Sequence, residues 1–68
     1  MKISDLVSQA TEFLRTTSPS ARLDAELIIA DTLKCRREDL YTQSHKEIAP
    51  QILSMCLQKI ERRIQGEP

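Results

Sequence analysis

The chain has 68 residues, 40% of them apolar, and a formal net charge of zero. A domain of this size retains only about 3–5 kcal/mol of net stability from one core, and a nucleotide-binding α/β unit would use most of its length, which argues against a self-contained cofactor-dependent enzyme. The balanced charge argues against a nucleic-acid groove. The longest apolar run, residues 27–30, is far shorter than the roughly 20 residues of a membrane-spanning helix, so we expect a cytoplasmic protein that acts by contact.

Residues 3–15 are predicted to form an amphipathic helix. Apolar residues recur there with the i, i+3, i+4, i+7 spacing that lines one face of a helix, and they cover about 120° of arc. The stripe consists of Ile3, Leu6, Val7, Ala10, Phe13 and Leu14. We expect these residues to pack on a core. Ser18 and Pro19, a capping residue and a first-turn proline, are expected to begin the next helix.

The second helix is predicted over residues 19–34, and its apolar residues nearly surround the axis. Such a pattern is typical of a helix buried between neighbours on two sides. The apolar residues are Ala21, Leu23, Ala25, Leu27, Ile28, Ile29 and Ala30.

The charged residues of the second helix have mainly structural interpretations. Arg22 and Glu26 are four positions apart, the spacing of a surface ion pair. Asp24 lies near the helix N-terminus, where the macrodipole stabilises a carboxylate. A binding role for Arg22 or Asp24 is the alternative.

Two further helices are predicted, a short one over 37–42 and a longer one over 50–65. Pro50 suits a first helical position, and Gly66 suits a left-handed C-cap. Lys59 and Arg62 point away from the apolar stripe of the last helix, and Met55 is expected to be exposed, where it could contact a partner. The stripe consists of Ile52, Leu53, Cys56, Leu57, Ile60 and Ile64.

The sequence contains no recognisable catalytic, cofactor-binding or metal-binding constellation. His45 is the single histidine, one glycine cannot make a ligand-cradling loop, and no serine has a Gly-x-Ser-x-Gly context. Cys35 and Cys56 form no CxxC pair and suit free thiols in a reducing cytosol. Two basic clusters, one around residue 36 and one around residue 62, leave nucleic-acid binding as a weak third alternative.

Two strings nevertheless resemble a known family. Residues 20–29, SARLDAELII, resemble the R-x-D-A-E-hydrophobic-hydrophobic segment near the N-terminus of HemK/PrmC-type release factor glutamine methyltransferases. Residues 61–68, ERRIQGEP, are similar to the R-R-x-x-G-E-P string that closes the N-terminal helical domain of that family. The two strings also have the family's spacing.

The resemblance implies an enzyme that transfers a methyl group from S-adenosylmethionine to the glutamine of the Gly-Gly-Gln motif in peptide chain release factors. In the family a C-terminal Rossmann-like domain binds the cofactor and the glutamine amide, through a Gly-rich loop and an Asn-Pro-Pro-Tyr motif. Neither is found in these 68 residues, so no catalytic or cofactor-binding residue can be assigned to them. The expected partners are the release factor and the enzyme's own catalytic domain, with no direct nucleic-acid or membrane contact.

We therefore predict an all-α orthogonal bundle of four helices, with residues 1–65 as a substrate-recognition domain and Gly66, Glu67 and Pro68 as the start of a linker. The alternative is a non-enzymatic helical interaction module, which could be homodimeric. The candidates for partner contact are Arg22, Asp24, Met55, Lys59 and Arg62.

Overall fold

The computed structural model describes residues 1–66, which form a small all-α bundle. The helices are α1 (Ile3–Leu14), α2 (Ala21–Leu33), α3 (Arg37–Thr42) and α4 (Pro50–Ile64). Within the described part of the chain the only β-type pairing is an isolated bridge between Lys2 and Glu47. The all-α prediction is confirmed, and three of the four predicted helices agree with the structure to within one residue.

The start of α2 is the exception, because the helix begins at Ala21 and not at Pro19. The backbone N–H groups of Thr17 and Ser18 both donate to the carbonyl of Leu14, which keeps the chain in a turn after α1. Ser18 is buried, and its hydroxyl accepts a hydrogen bond from the N–H of Ser20. Pro19 therefore lies inside a connecting turn and not in the first turn of α2.

Both ends of α4 agree with the prediction. Pro50 is the first residue of α4, and Gly66 follows the C-cap with a φ of 87°. At the start of α3 the N–H of Arg36 donates to the carboxylate of Asp39 at 3.1 Å. At the end of α2, Lys34 adopts a left-handed φ of 57°, a conformation that usually favours glycine and that turns the chain sharply towards α3.

The core lies between α1 and α2, and both of these helices also contact α3 and α4. α3 and α4 do not pack on each other. Alanines at three positions of the buried face of α2 let its neighbours approach closely. The buried apolar residues are Ile3, Leu6, Val7, Ala10, Leu14, Ala21, Ala25, Ile29, Ala30, Leu40, Ile48, Cys56 and Ile60.

Two predictions about the core are wrong. The outer side of α2 is open, because α3 and α4 flank this helix and do not cover it, so Leu23 and Leu27 are 41% and 49% exposed. Residues at the edges of the two predicted stripes are also exposed, namely Phe13 on α1 and Leu57 and Ile64 on α4. Each of them lies beyond the arc of its helix that reaches the neighbouring helices.

The loop between α3 and α4 is fastened to the start of the chain. The N–H groups of Ile3 and Ser4 donate to the carbonyls of Lys46 and Ser44, both at 3.0 Å, and the N–H of buried Ile48 donates to the carbonyl of Met1. This connection holds α3 against α1. Among residues 1–66 there is no helix with the length and apolar character needed to cross a membrane.

The adjacent residues Phe13 and Leu14 provide a test of the core boundary. Leu14 is fully buried, so we expect Leu14→Ala to lower the free energy of unfolding by about 2–5 kcal/mol, comparable to the whole net stability of such a domain. Phe13 is 54% exposed, and Phe13→Ala should cost less than about 1 kcal/mol. Urea unfolding followed by far-UV circular dichroism measures both values. Equal losses would contradict the exposed position of Phe13.

Candidate partner-binding site

Glu26 is a charged side chain in the core of the domain, with only 2% of its surface exposed. It lies on α2 and accepts hydrogen bonds from the Tyr41 hydroxyl at 2.6 Å and from Nη2 of Arg37 at 3.0 Å. Nε of Arg37 and Nε of Arg22 complete its shell, each at 3.3 Å. We call Glu26, Arg22, Arg37 and Tyr41 the Glu26 network. It joins α2 to α3.

The network keeps Glu26 ionised. Burial raises the pKa of a carboxylate, but the hydrogen bonds from Tyr41, Arg37 and Arg22 outweigh burial and hold the pKa of Glu26 below its ordinary value. The same contact with Glu26 raises the pKa of Arg37. The sequence interpretation of Arg22 and Glu26 as a surface pair is therefore wrong for Glu26, although Arg22 itself has a side chain that is 68% exposed.

Asp24 and Asp31 lie on the flank of α2 that faces α4. The carboxylate of Asp24 accepts a hydrogen bond from the Ser18 hydroxyl and lies 3.4 Å from Nη2 of Arg63. Asp31 pairs with Nζ of Lys59 at 3.3 Å. Because Asp31 is 80% exposed, its pair is screened by water and adds little stability. The half-buried Asp24 connects the turn before α2 with the end of α4.

The structure separates the residues proposed from sequence as partner contacts. Asp24 and Lys59 lie where α2 meets α4, and Met55 is one turn before Lys59 on α4. Arg62 lies apart from them, on the exposed side of α4. Met55 is 46% exposed, as predicted. Arg22 lies on the opposite flank of α2, in the Glu26 network.

The predicted linker is described only at its first residue. Gly66 is exposed and ends α4 with a positive φ. Glu67 and Pro68 lie outside the described residues.

An apolar groove between α1 and α4 was missed from the sequence. It has a volume of about 220 Å³, and we call it the apolar groove. Its lining consists of Phe13, Leu57, Ile60, Glu61 and Ile64. Only Ile60 is buried, whereas Phe13, Leu57 and Ile64 are exposed. The groove therefore brings three exposed apolar side chains together at one place on the surface. The sequence does contain a signal for the groove, because Phe13, Leu57 and Ile64 lie at the edges of the predicted apolar stripes.

A second, more polar cleft lies beside the Glu26 network. It has a volume of about 140 Å³, and we call it the Arg22 cleft. Its walls come from α1, α2, α3 and the loop that follows α3. The lining residues are Ser4, Val7, Ser8, Arg22, Glu26, Leu40, Tyr41 and Ser44. The cleft combines serine hydroxyls with one exposed guanidinium.

Residues 1–66 contain no cluster of three or more His, Cys, Asp or Glu side chains that could hold a metal ion. Both cysteines are free thiols, and burial raises the pKa of Cys35 and of Cys56, so neither resembles an activated nucleophile. Glu26, the buried carboxylate, is engaged by the hydrogen bonds of its network.

Comparison with known proteins gives one family. A family model described as the PrmC N-terminal domain matches residues 5–68. No curated protein and no solved structure matches the chain.

The Glu26 network predicts a specific acid sensitivity. Because the pKa of Glu26 is lowered in the folded chain, its contribution to stability is present above the ordinary value of 4.5 and is lost as pH falls through the folded pKa. The N-terminal ammonium lowers the pKa of Glu47 and adds a contribution of the same sign. We expect the free energy of unfolding to fall between about pH 5 and pH 3.

Glu26→Gln should make that decrease smaller without abolishing it, and at neutral pH it should cost about 1–3 kcal/mol through the weakened hydrogen bonds. Urea unfolding at a series of pH values measures both effects. Glu38→Gln, which removes an exposed carboxylate from α3, is the matched control. An identical acid slope in Glu26→Gln and the unchanged chain would contradict this account.

Proposed function

The chain belongs to the PrmC N-terminal domain family, and from this premise we propose that it is the substrate-binding domain of a release factor glutamine methyltransferase. The enzyme would transfer a methyl group from S-adenosylmethionine to the glutamine side chain of the Gly-Gly-Gln motif in peptide chain release factors. The observation that carries the proposal is the family match over residues 5–68.

We assign the cofactor and the methyl transfer to a separate catalytic domain. A sequence with one glycine cannot form the Gly-rich loop that the methyltransferase domain requires. We assign to the described residues the role of holding the protein substrate. Gly66, Glu67 and Pro68 begin the linker to the catalytic domain.

Exposed apolar side chains support a role in protein contact. Phe13 is 54% exposed and Leu57 40%, and both line the apolar groove with Ile64 at its other end. Protein interfaces typically depend on a few large anchors in a packed centre, surrounded by polar residues. The groove offers such a centre, and Glu61 gives it a polar edge. The domain thus acts on release factors in the cytoplasm through protein contact, without nucleic acid or membrane.

Competition tests the proposal directly. The 68-residue chain is added to a full-length PrmC-family enzyme in excess over both the enzyme and the release factor, and methyl transfer to the release factor is measured. We expect the apparent KM for the release factor to rise at unchanged kcat, because the added chain occupies the substrate. Phe13→Ala should compete less well, and Leu14→Ala, which damages the core, is the control for non-specific effects. No competition at large excess would contradict direct recognition.

Calorimetry tests the assignment of cofactor binding to the catalytic domain. The isolated chain should give no heat of binding with S-adenosylmethionine, since we assign the cofactor to the catalytic domain. Clear binding would contradict the assignment of the cofactor to another domain.

A self-associating helical module is the second candidate, and the 46% exposure of Met55 favours it. Sedimentation equilibrium separates the two candidates. We expect a monomer. A stable dimer that Met55→Lys dissociates would support the module instead.

A further inference from the structure

No group among residues 1–66 accepts a hydrogen bond from the terminal amino groups of the Arg22 guanidinium. Its Nε faces Oε2 of Glu26 at 3.3 Å, which orients the guanidinium plane, while the side chain remains 68% exposed. Arg37 differs, because Nε and Nη2 both bind Oε1 of Glu26 and its side chain is 41% exposed. An arginine held through Nε presents its terminal amino groups as a fork that matches a carboxylate.

The charge of the Glu26 network favours an anion. Arg37, which is not part of the cleft lining, pairs with the Glu26 carboxylate, so the network of two guanidinium groups and one carboxylate carries an excess of one positive charge. Ser4, Ser8 and Ser44 add hydroxyl groups to the lining of the cleft. A hydroxyl can donate a hydrogen bond to an incoming carboxylate and so replace a water molecule that the carboxylate gives up on binding.

Size restricts the ligand to one side chain. A volume of about 140 Å³ holds about four or five water molecules at roughly 30 Å³ each, which suits an acidic side chain and excludes a nucleotide. The apolar parts of the lining, Val7 and Leu40, suit the methylene groups of such a side chain.

We propose that the Arg22 cleft binds the carboxylate of an aspartate or glutamate side chain on a protein partner. Arg22 provides the fork, Glu26 orients Arg22, and the serine hydroxyls surround the second carboxylate oxygen. Under the proposed function, on which this step rests for the identity of the partner, the acidic residue belongs to the release factor.

The first test needs no partner protein. The ¹⁵N-labelled chain is titrated with Nα-acetyl-glutamate amide at constant ionic strength, and the Arg22 Nε–H and Tyr41 amide resonances are followed. We expect shifts that saturate below about 100 mM, the weak affinity of one charge-assisted contact. The neutral isostere Nα-acetyl-glutamine amide should give none. Equal shifts with the glutamine compound, or with inorganic phosphate, would overturn the assignment to a carboxylate.

Variants test whether the resonance shifts arise from binding at Arg22. Arg22→Gln should abolish the shifts at Tyr41, and Arg22→Lys, which keeps the charge but not the fork, should weaken them. Arg15→Gln is the matched control, because Arg15 is similarly exposed at 65% and pairs with Glu12 on its own helix, away from the cleft. Circular dichroism verifies that each variant is folded. Shifts at Tyr41 that persist in Arg22→Gln would overturn the proposal.

The second test asks whether the Arg22 cleft contacts the release factor. In the competition assay, Arg22→Gln should require about tenfold more chain than the unchanged sequence for the same inhibition, and Arg15→Gln should not. Competition that is insensitive to Arg22→Gln would contradict the cleft as a release factor contact. A saturable carboxylate titration without competition by the unchanged chain would instead support the cleft and contradict the proposed partner.

Discussion

The buried carboxylate of Glu26 is the constraint on which the arrangement of the helices depends. A charge taken out of water is stabilising only when its partners stay in place, and loss of a hydrogen bond to such a group typically costs about 1–3 kcal/mol. That is a large share of the roughly 3–5 kcal/mol of net stability that a small domain retains. The short helix α3 supplies two of the partners, Arg37 and Tyr41. The position of α3 is therefore fixed by electrostatics as well as by the single buried Leu40 of that helix.

The R-x-D-A-E string of α2 has a direct physical reading. Successive residues on a helix are about 100° apart, so Asp24, Ala25 and Glu26 point to three different neighbours. Asp24 contacts the preceding turn and α4, Ala25 is buried in the core, and Glu26 contacts α3. The two acids of the string are occupied by the fold, whereas the Arg22 side chain is 68% exposed.

Helix positions could be predicted because they depend on local signals, such as the proline at the start of α4 and the glycine after its end. The buried environment of Glu26 could not, because it depends on α3, which is reached only after the left-handed turn at Lys34. Phe13 was assigned to the core for a related reason. Apolar periodicity predicts which side of a helix is buried. It does not predict how wide the buried face is, because that width depends on how many helices pack against it. The resemblance to the PrmC family was confirmed, whereas the apolar groove needed the structure.

The alanines on the buried side of α2 determine how the domain can respond to a partner. Ala25 is fully buried and Ala30 nearly so, and side chains this small place neighbouring helices at short separation with little room to slide. We therefore expect the apolar groove and the Arg22 cleft to keep a fixed separation. A partner that matches both would not lose affinity to reorganisation of this domain. The same close packing restricts sequence drift, since one extra methyl group at Ala25 would push the helices apart and change the distance between the two clefts.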